Sequence, residues 1–332
     1  MNGRVAGDQV EHAAAVLAAG GLVAFPTETV YGLGADAANP DALRRLYAVK
    51  GRPATHPVIV HLADDGPIAA RLAPWAATVP PAAATLAAAC WPGPLTLLVP
   101  RAGGVLDAVT GGGDTVGVRV PDQPLAQRLL RRVGRGIAAP SANRFGRVSP
   151  TTAAHVRADL GADVDVVLDG GPCRVGVEST IVDCSADPPA LIRLGAVPRD
   201  RLEAILGAPV ALRTDGTVPA PGTLPAHYAP DAQVVVVRAD ELAGRAESLV
   251  AGGARVGVLA APPLPPLPDP VVRLDAPTRV DALAHDLYAL LRAADRAGLD
   301  VVLAVPPPSR GVGAAVTDRL TRAAGSPAPR PR

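Results

Sequence analysis

The chain has 332 residues, enough for about two domains at roughly 100–200 residues each, and 48% of them are hydrophobic, which excludes a disordered chain. Thirty-two basic residues against 31 acidic leave a formal charge of +1, which argues against an extended nucleic-acid footprint. No apolar run approaches the roughly 18 residues that a membrane span needs, and Asp8, Glu11 and His12 fall where the apolar core of a signal peptide would lie, so a cytoplasmic location is expected.

Helical periodicity runs over residues 8–19 and stops at Gly20 and Gly21. Residues 22–25 read as a strand ended by Pro26, and a Gly32/Gly34 turn follows Thr27, Glu28 and Thr29. Residues 41–49 read as a helix leading into Lys50, and 58–62 as a strand. A helix is expected over 81–90, strands over 95–99 and 116–120, a helix over 124–131 and a short buried strand over 137–139. Residues 151–159 form the next expected helix, capped by Ser149 or Thr151. Strands over 164–168, 179–182 and 191–193 precede a helix over 198–206 with Pro198 in its first turn. Periodicity fails in the Pro/Gly-rich stretch 213–230, which reads as a linker. Beyond it, strands over 234–237, 256–259 and 301–305 alternate with helices over 240–251, 279–297 and 312–324, with a proline-rich loop at 261–270. That rhythm predicts a parallel, Rossmann-like second domain, and the tail from Gly325 is expected to be disordered.

The chemistry-bearing residues cluster. The basic residues are 31 Arg and a single lysine, Lys50, and Asn occurs only at positions 2, 39 and 143, consistent with a GC-rich coding bias. Where Lys drifts to Arg wherever charge alone suffices, a lone survivor marks a place that needs a compact ammonium. Lys50 and Arg52 in "KGRP" can converge on a polyphosphate, or form a solvated charged turn. In "FPTETVYGLG", Thr27 and Thr29 sit at the carboxyl end of a strand, where open α/β sheets bind ligands, and hydroxyls suit a zwitterion such as an amino acid. Arg119 interrupts the apolar strand of "TVGVRVP", sharing a face with Thr115 and Gly117; it needs a carboxylate partner, from a ligand or from the protein itself. "APSANRFGRVSPT" gathers Ser141, Asn143 and Ser149 into a plausible phosphate cradle or a simple capped loop. "GVESTIVD" and "LIRLG" add Ser179 and Arg193. Cys90, Cys173 and Cys184 form no CxxC and have no His cluster nearby, so buried free thiols are expected rather than a zinc site or a disulfide framework. A P-loop, a GxSxG and an HExxH are all absent from the sequence, which favours a catalyst that positions its substrates without a covalent intermediate.

"FPTETVYGLG", "KGRP", "HPVIVHL", "WPGPLTLLV", "DTVGVRVP", "APSAN", "DGG…GVESTIVD" and "PGTLPAHYAP" occur in the order and spacing of the threonylcarbamoyl-AMP synthases, and the chain resembles their long, two-domain form. The resemblance implies an α/β fold: a YrdC-like twisted open sheet with flanking helices over 1–210, a linker and active-site lid over 211–231, a smaller Rossmann-like domain over 232–325 and a tail over 326–332. It implies a nucleotidyltransferase that converts L-threonine, bicarbonate or CO2, and ATP into L-threonylcarbamoyl-AMP and pyrophosphate, for a downstream tRNA threonylcarbamoyl transferase. Carried over by position, Thr29, His61, Arg119, Ala139 and Ser179 match threonine-contacting positions. Lys50, Arg52, His56, Thr115, Ser141, Asn143, Ser149, Arg193 and His227 match nucleotide positions, with Lys50 and Arg52 the catalytic cations. His56 stands where many members carry Asn, and an imidazole donates with different geometry. Mg2+ is expected to arrive with ATP, held mainly by phosphates and water. An RNA-binding YrdC-like module without adenylylating activity is the alternative reading; its only dense basic run is 128–135, and no membrane or stable nucleic-acid complex is expected. A carbamoyl-transfer enzyme of hydrogenase maturation is disfavoured by the missing cysteine pairs.

Overall fold

The computed structural model describes residues 2–213, 220–222 and 227–325. Parts of the expected linker (214–219 and 223–226) and the expected disordered tail (326–332) lie outside the described residues. The chain divides into two compact units: 1–145 with 150–174 and 178–223, and 146–149 with 175–177 and 224–332.

In the first unit the elements are α1 (Asn2–Ala18), β1 (Val23–Phe25), β2 (Gly32–Asp36), α2 (Pro40–Lys50), β3 (Ile59–His61), α3 (Ile68–Leu72), α4 (Pro81–Cys90), β4 (Leu95–Pro100), α5 (Asp107–Thr110), β5 (Thr115–Arg119), α6 (Pro124–Val133), β6 (Ile137–Ala138), α7 (Ala153–Leu160), β7 (Val166–Val167), β8 (Thr180–Asp183), β9 (Ala190–Arg193), α8 (Arg199–Leu206) and β10 (Ala211–Leu212). The strands form one mixed sheet in the order β10-β9-β8-β4-β5-β3-β6-β2-β1-β7. β3 and β5 run parallel, with Ile59 opposite Gly117 and His61 opposite Arg119.

Strand alternation divides this sheet into two faces. Val58, Val60, Leu95, Leu97, Val116 and Val118 pack into the main core with Leu43 and Leu46 of α2 and Leu86 of α4. On the opposite face, Val23, Phe25 and Ile137 lie under Leu17 of α1 and Leu129 of α6. Further along that face Ile59, Leu98, Ile181 and Ile192 pack with Ala220, so a described piece of the linker lies on the sheet. His61, Thr115, Arg119 and Thr96 belong to this same face by alternation.

Several expectations need correction. Gly32 and Gly34 lie in β2, not in a turn. They are glycine because the face beneath them is crowded: a Cβ on Gly34 would come within 2.8 Å of Ile137 and 2.9 Å of the Phe25 ring. The cap of α7 is Thr152, whose hydroxyl accepts from the His155 N–H at 3.2 Å; neither Ser149 nor Thr151 takes that place. Pro198 precedes the first turn of α8 and does not sit inside it. Cys173 and Cys184 are buried as expected, but Cys90 is only half-buried; all three are free thiols.

The second unit contains β11 (Gln233–Val236), α9 (Leu242–Ala251), β12 (Val256–Ala260), β13 (Val272–Asp275), α10 (Val280–Arg296), β14 (Val301–Ala304) and α11 (Gly313–Ala324). Its strands are all parallel, in the order β11-β14-β12-β13, as the strand–helix rhythm predicted. β13 was not expected, because three of its four residues are exposed and carry no apolar run. Leu242 and Ala246 of α9 pack on Val256, Val258 and Leu303. Among the described residues no helix is long and apolar enough to cross a membrane.

Gly195 tests the packing of the first unit, because a Cβ there would meet the Thr180 nitrogen at 2.3 Å and the Ser179 carbonyl carbon at 2.4 Å. Backbone cannot yield as a side-chain tip can. Gly195→Ala should therefore destabilise the fold by about 1–3 kcal/mol, read as a lower urea midpoint at unchanged slope.

Candidate functional site

The site is built on the ends of β3 and β5 and on three loops that return to them. β1 ends at Phe25, and Pro26 turns the chain into Thr27-Glu28-Thr29, all buried. The Thr27 hydroxyl donates to the Val30 carbonyl at 2.6 Å and accepts the Thr29 and Val30 N–H groups at 3.2 Å. Its single proton is thereby committed, so in the 2.8 Å contact between the two hydroxyls Thr29 is the donor. Thr29 thus presents lone pairs, not a proton, to whatever lies beyond it.

Arg119 closes β5 and is buried. The sequence left its carboxylate partner open, and the structure supplies Glu28: Nη2 and Oε1 lie 2.7 Å apart, both side chains almost wholly buried. The contact is an ion pair and not an aligned hydrogen bond, so both atoms keep unused hydrogen-bonding capacity. Glu28 Oε2 accepts the Asp122 N–H at 3.1 Å, and Arg119 Nε reaches the Gly93 carbonyl at 3.4 Å. Opposite Arg119 stands His61, buried edge-on against the Phe25 ring, with Nδ1 unpartnered. Burial and the Arg119 charge push the imidazole down to about 3, so it is neutral at physiological pH. The buried His61 Nδ1 thus lacks a hydrogen bond, at a cost of about 1–3 kcal/mol, while Arg119 Nη2 and Glu28 Oε1 meet each other as charges only. Ser179 lies 2.8 Å from the Thr96 hydroxyl and accepts from Arg193 Nη2 at 3.0 Å. Arg193 also donates to the Ser179 and Pro221 carbonyls, which ties the described piece of the linker to this face. The Ala139 N–H donates to the Ile59 carbonyl at 2.8 Å, which lays the start of the 139–143 loop along β3.

The cations assemble at the C-terminus of α2. That helix is capped by Asn39 at one end and stopped by Gly51, whose φ of 64° is left-handed. Lys50 is buried, and its ammonium donates to the carbonyls of Ser141 at 2.6 Å and Asn143 at 2.7 Å. Burial and the Arg52 guanidinium hold it well below its ordinary pKa. Arg52 donates to the Pro57 carbonyl at 2.8 Å and lies over the Phe145 ring, which His56 also approaches. The His56 imidazole is pushed below its usual value by burial and by Arg52. Thr115 begins β5, level with Pro57 and about 13 Å along the strand from Arg119.

Thr29, His61, Arg119, Ala139, Ser179, Lys50, Arg52, His56, Thr115, Ser141, Asn143 and Arg193 therefore all belong to the first unit, whereas Ser149 and His227 belong to the second. There, Ser149 is buried, and the His227 N–H donates to the Arg322 carbonyl at 3.3 Å. Sequence reasoning passed over Glu28 and Thr96. An acid between two threonines, just after a buried apolar strand, was the available signal for Glu28. Among the described residues no three His, Cys, Asp or Glu side chains gather to hold a metal.

A family model described as "Telomere recombination" matches residues 15–195, and one described as "Threonylcarbamoyl-AMP synthase, C-terminal domain" matches 197–325. The chain is 40% identical over 328 residues to the threonylcarbamoyl-AMP synthase of Pyrococcus abyssi, covering 96% of this chain and 94% of that one. It is 40% identical over 327 residues to the Bacillus subtilis threonylcarbamoyl-AMP synthase, covering 96% and 93%. The crystal structure of P. abyssi Sua5 complexed with L-threonine superposes with a TM-score of 0.88 at 39% identity, over 95% of this chain and 94% of that one.

The neutral, buried His61 gives a pH signature. Between its ordinary value of 6.5 and about 3, the unfolded chain binds a proton that the folded chain does not. Stability must then fall on acidification below 6.5, by about 1.4 kcal/mol per pH unit from this residue. Denaturation midpoints from pH 7 to 4 should fall less steeply in His61→Gln than in the wild type.

Proposed function

We infer the reaction from two facts taken together: the chain belongs to the threonylcarbamoyl-AMP synthase family, and Glu28, Arg119 and His61 bring buried polar atoms without aligned hydrogen bonds to one end of β3 and β5. The second carries the reading. The Arg119 guanidinium, whose Nη2 meets Glu28 without an aligned hydrogen bond, the unpartnered Nδ1 of the neutral His61 and the lone pairs of Thr29 form a pocket that an amino acid completes. We assign the α-carboxylate of L-threonine to Arg119, its ammonium to the acceptor side of the pocket with Thr29, and its remaining contacts to His61, Ser179 and the Ala139 backbone.

ATP takes the other end. Lys50 and Arg52 face its phosphates, with Ser141 and Asn143, while His56, Thr115 and Arg193 complete the nucleotide set of this unit. The threonine amine, once deprotonated, captures CO2 as a carbamate. A carbamate oxygen then attacks the α-phosphorus in line, the bond to the bridging oxygen breaks, and pyrophosphate leaves. No protein nucleophile is needed. The chain's contribution is alignment and neutralisation of phosphate charge by Lys50 and Arg52. Mg2+ enters as the ATP complex, and no step is assigned to protein-held metal. The product, L-threonylcarbamoyl-AMP, is a labile mixed anhydride for a tRNA-modifying transferase, and we place both enzymes in the cytoplasm.

The test is pyrophosphate release from ATP. The expected result is release that requires L-threonine and bicarbonate together. Release that ignores either one, or none from folded protein with Mg2+ present, contradicts the proposal.

A further inference from the structure

Glu28 is the carboxylate that meets Arg119 in the amino-acid pocket, and its contact with Arg119 is not needed to hold β5 in register. The ladder hydrogen bonds do that. A carboxylate so close to the cation that is to hold a substrate carboxylate looks counterproductive, since it competes for the same guanidinium. Its effect is clearer in the net charge of the pocket. Arg119 contributes one positive charge and Glu28 one negative charge, 2.7 Å apart. His61 is neutral, Thr29 and Ser179 carry none, and Cys173, which feels both charges, is a thiol pushed up to about 12 by burial. Asp122 contributes only its backbone N–H to Glu28 and pairs its own side chain with Arg174. Arg193, the next cation, is turned to the carbonyls of Ser179 and Pro221.

A buried pocket that is neutral before binding has to be neutral after it, because an uncompensated buried charge is expensive. A zwitterionic amino acid satisfies this: its carboxylate shares Arg119 with Glu28, and its ammonium restores the balance. A hydroxy acid leaves one excess negative charge, and an amino acid amide one excess positive charge. We propose that Glu28 is a specificity-determining residue that selects the zwitterion, acting as the fixed counter-charge against which an α-ammonium is required. This rests on the assignment of threonine to the Arg119 pocket.

The experiment measures binding of three near-isosteres by calorimetry: L-threonine, 2,3-dihydroxybutanoate (net negative) and L-threonine amide (net positive). The proteins are the wild type, Glu28→Gln and Glu28→Asp. Gln keeps the shape and can still accept the Asp122 N–H; Asp keeps the charge. In the wild type, threonine should bind at least about tenfold more tightly than either analogue. In Glu28→Gln the two analogues should move in opposite directions relative to threonine, the anion gaining and the cation losing, each by about tenfold. In Glu28→Asp both ratios should stay within about twofold of wild type.

A merely structural role for Glu28 would shift all three ligands together. Parallel shifts in Glu28→Gln, or ratios in Glu28→Asp that move as they do in Gln, would overturn the proposal. If Glu28→Gln does not fold, the wild-type and Asp measurements still decide, since an analogue that matches threonine in the wild type also overturns it. Failure of threonine to bind the wild-type chain at all would overturn the underlying pocket assignment, which is a different result from binding with parallel shifts.

Discussion

One nitrogen atom organises the catalytic end of the molecule. The Lys50 ammonium donates to two carbonyls of the 141–143 loop, and the Lys50 carbonyl accepts the Phe145 N–H at 2.8 Å. Three hydrogen bonds through a single residue thus fasten a five-residue loop to the last turn of α2. The donor sits at the negative end of the helix dipole, where a cation is favoured. Two acceptors converging within 2.7 Å of one point suit a tetrahedral ammonium and not a planar guanidinium, whose nitrogens are spread over a fork. That geometry explains why one lysine persists in a chain otherwise supplied with arginine. Two of its three protons are spent on the Ser141 and Asn143 carbonyls.

The remainder of the site follows from how β3 and β5 are set in parallel. Their N-terminal ends lie beside Arg52, His56 and Thr115, and their C-terminal ends carry His61 and Arg119. A reaction that joins an amino acid to a nucleotide needs two differently charged subsites at a fixed spacing, and paired strands supply that spacing rigidly. The cation end and the amino-acid end are charged by different logic. Lys50 and Arg52 meet carbonyl oxygens in this structure. Arg119 meets a carboxylate and is balanced.

Most of this was legible in the residues because burial and period coincide. β3, β4 and β5 are apolar runs between turn residues, and α2 and α6 show capping or glycine stops at their ends. β13 and β10 escaped because exposed edge strands lack an apolar run, and α3 and α5 because they are only one turn long. Gly32 and Gly34 were read as a turn on composition, whereas the cause of their glycine is the Phe25 ring beneath the strand, a contact no local window reveals. The partner of Arg119 was undecidable from sequence for the same reason: Glu28 lies 91 positions away and meets it only through the fold. Ser149 and His227 carry a further limit, because motif order alone did not assign them to the second compact unit.

The most direct test is Lys50→Arg, which preserves charge and alters only the geometry of donation. Each charge-assisted hydrogen bond lost from a buried site is worth about 1.5–3 kcal/mol. The expected result is a folded protein whose threonine- and bicarbonate-dependent pyrophosphate release falls at least about tenfold, with L-threonine binding changed far less. Wild-type turnover in that variant would contradict it, because any cation would then serve where the structure requires an ammonium.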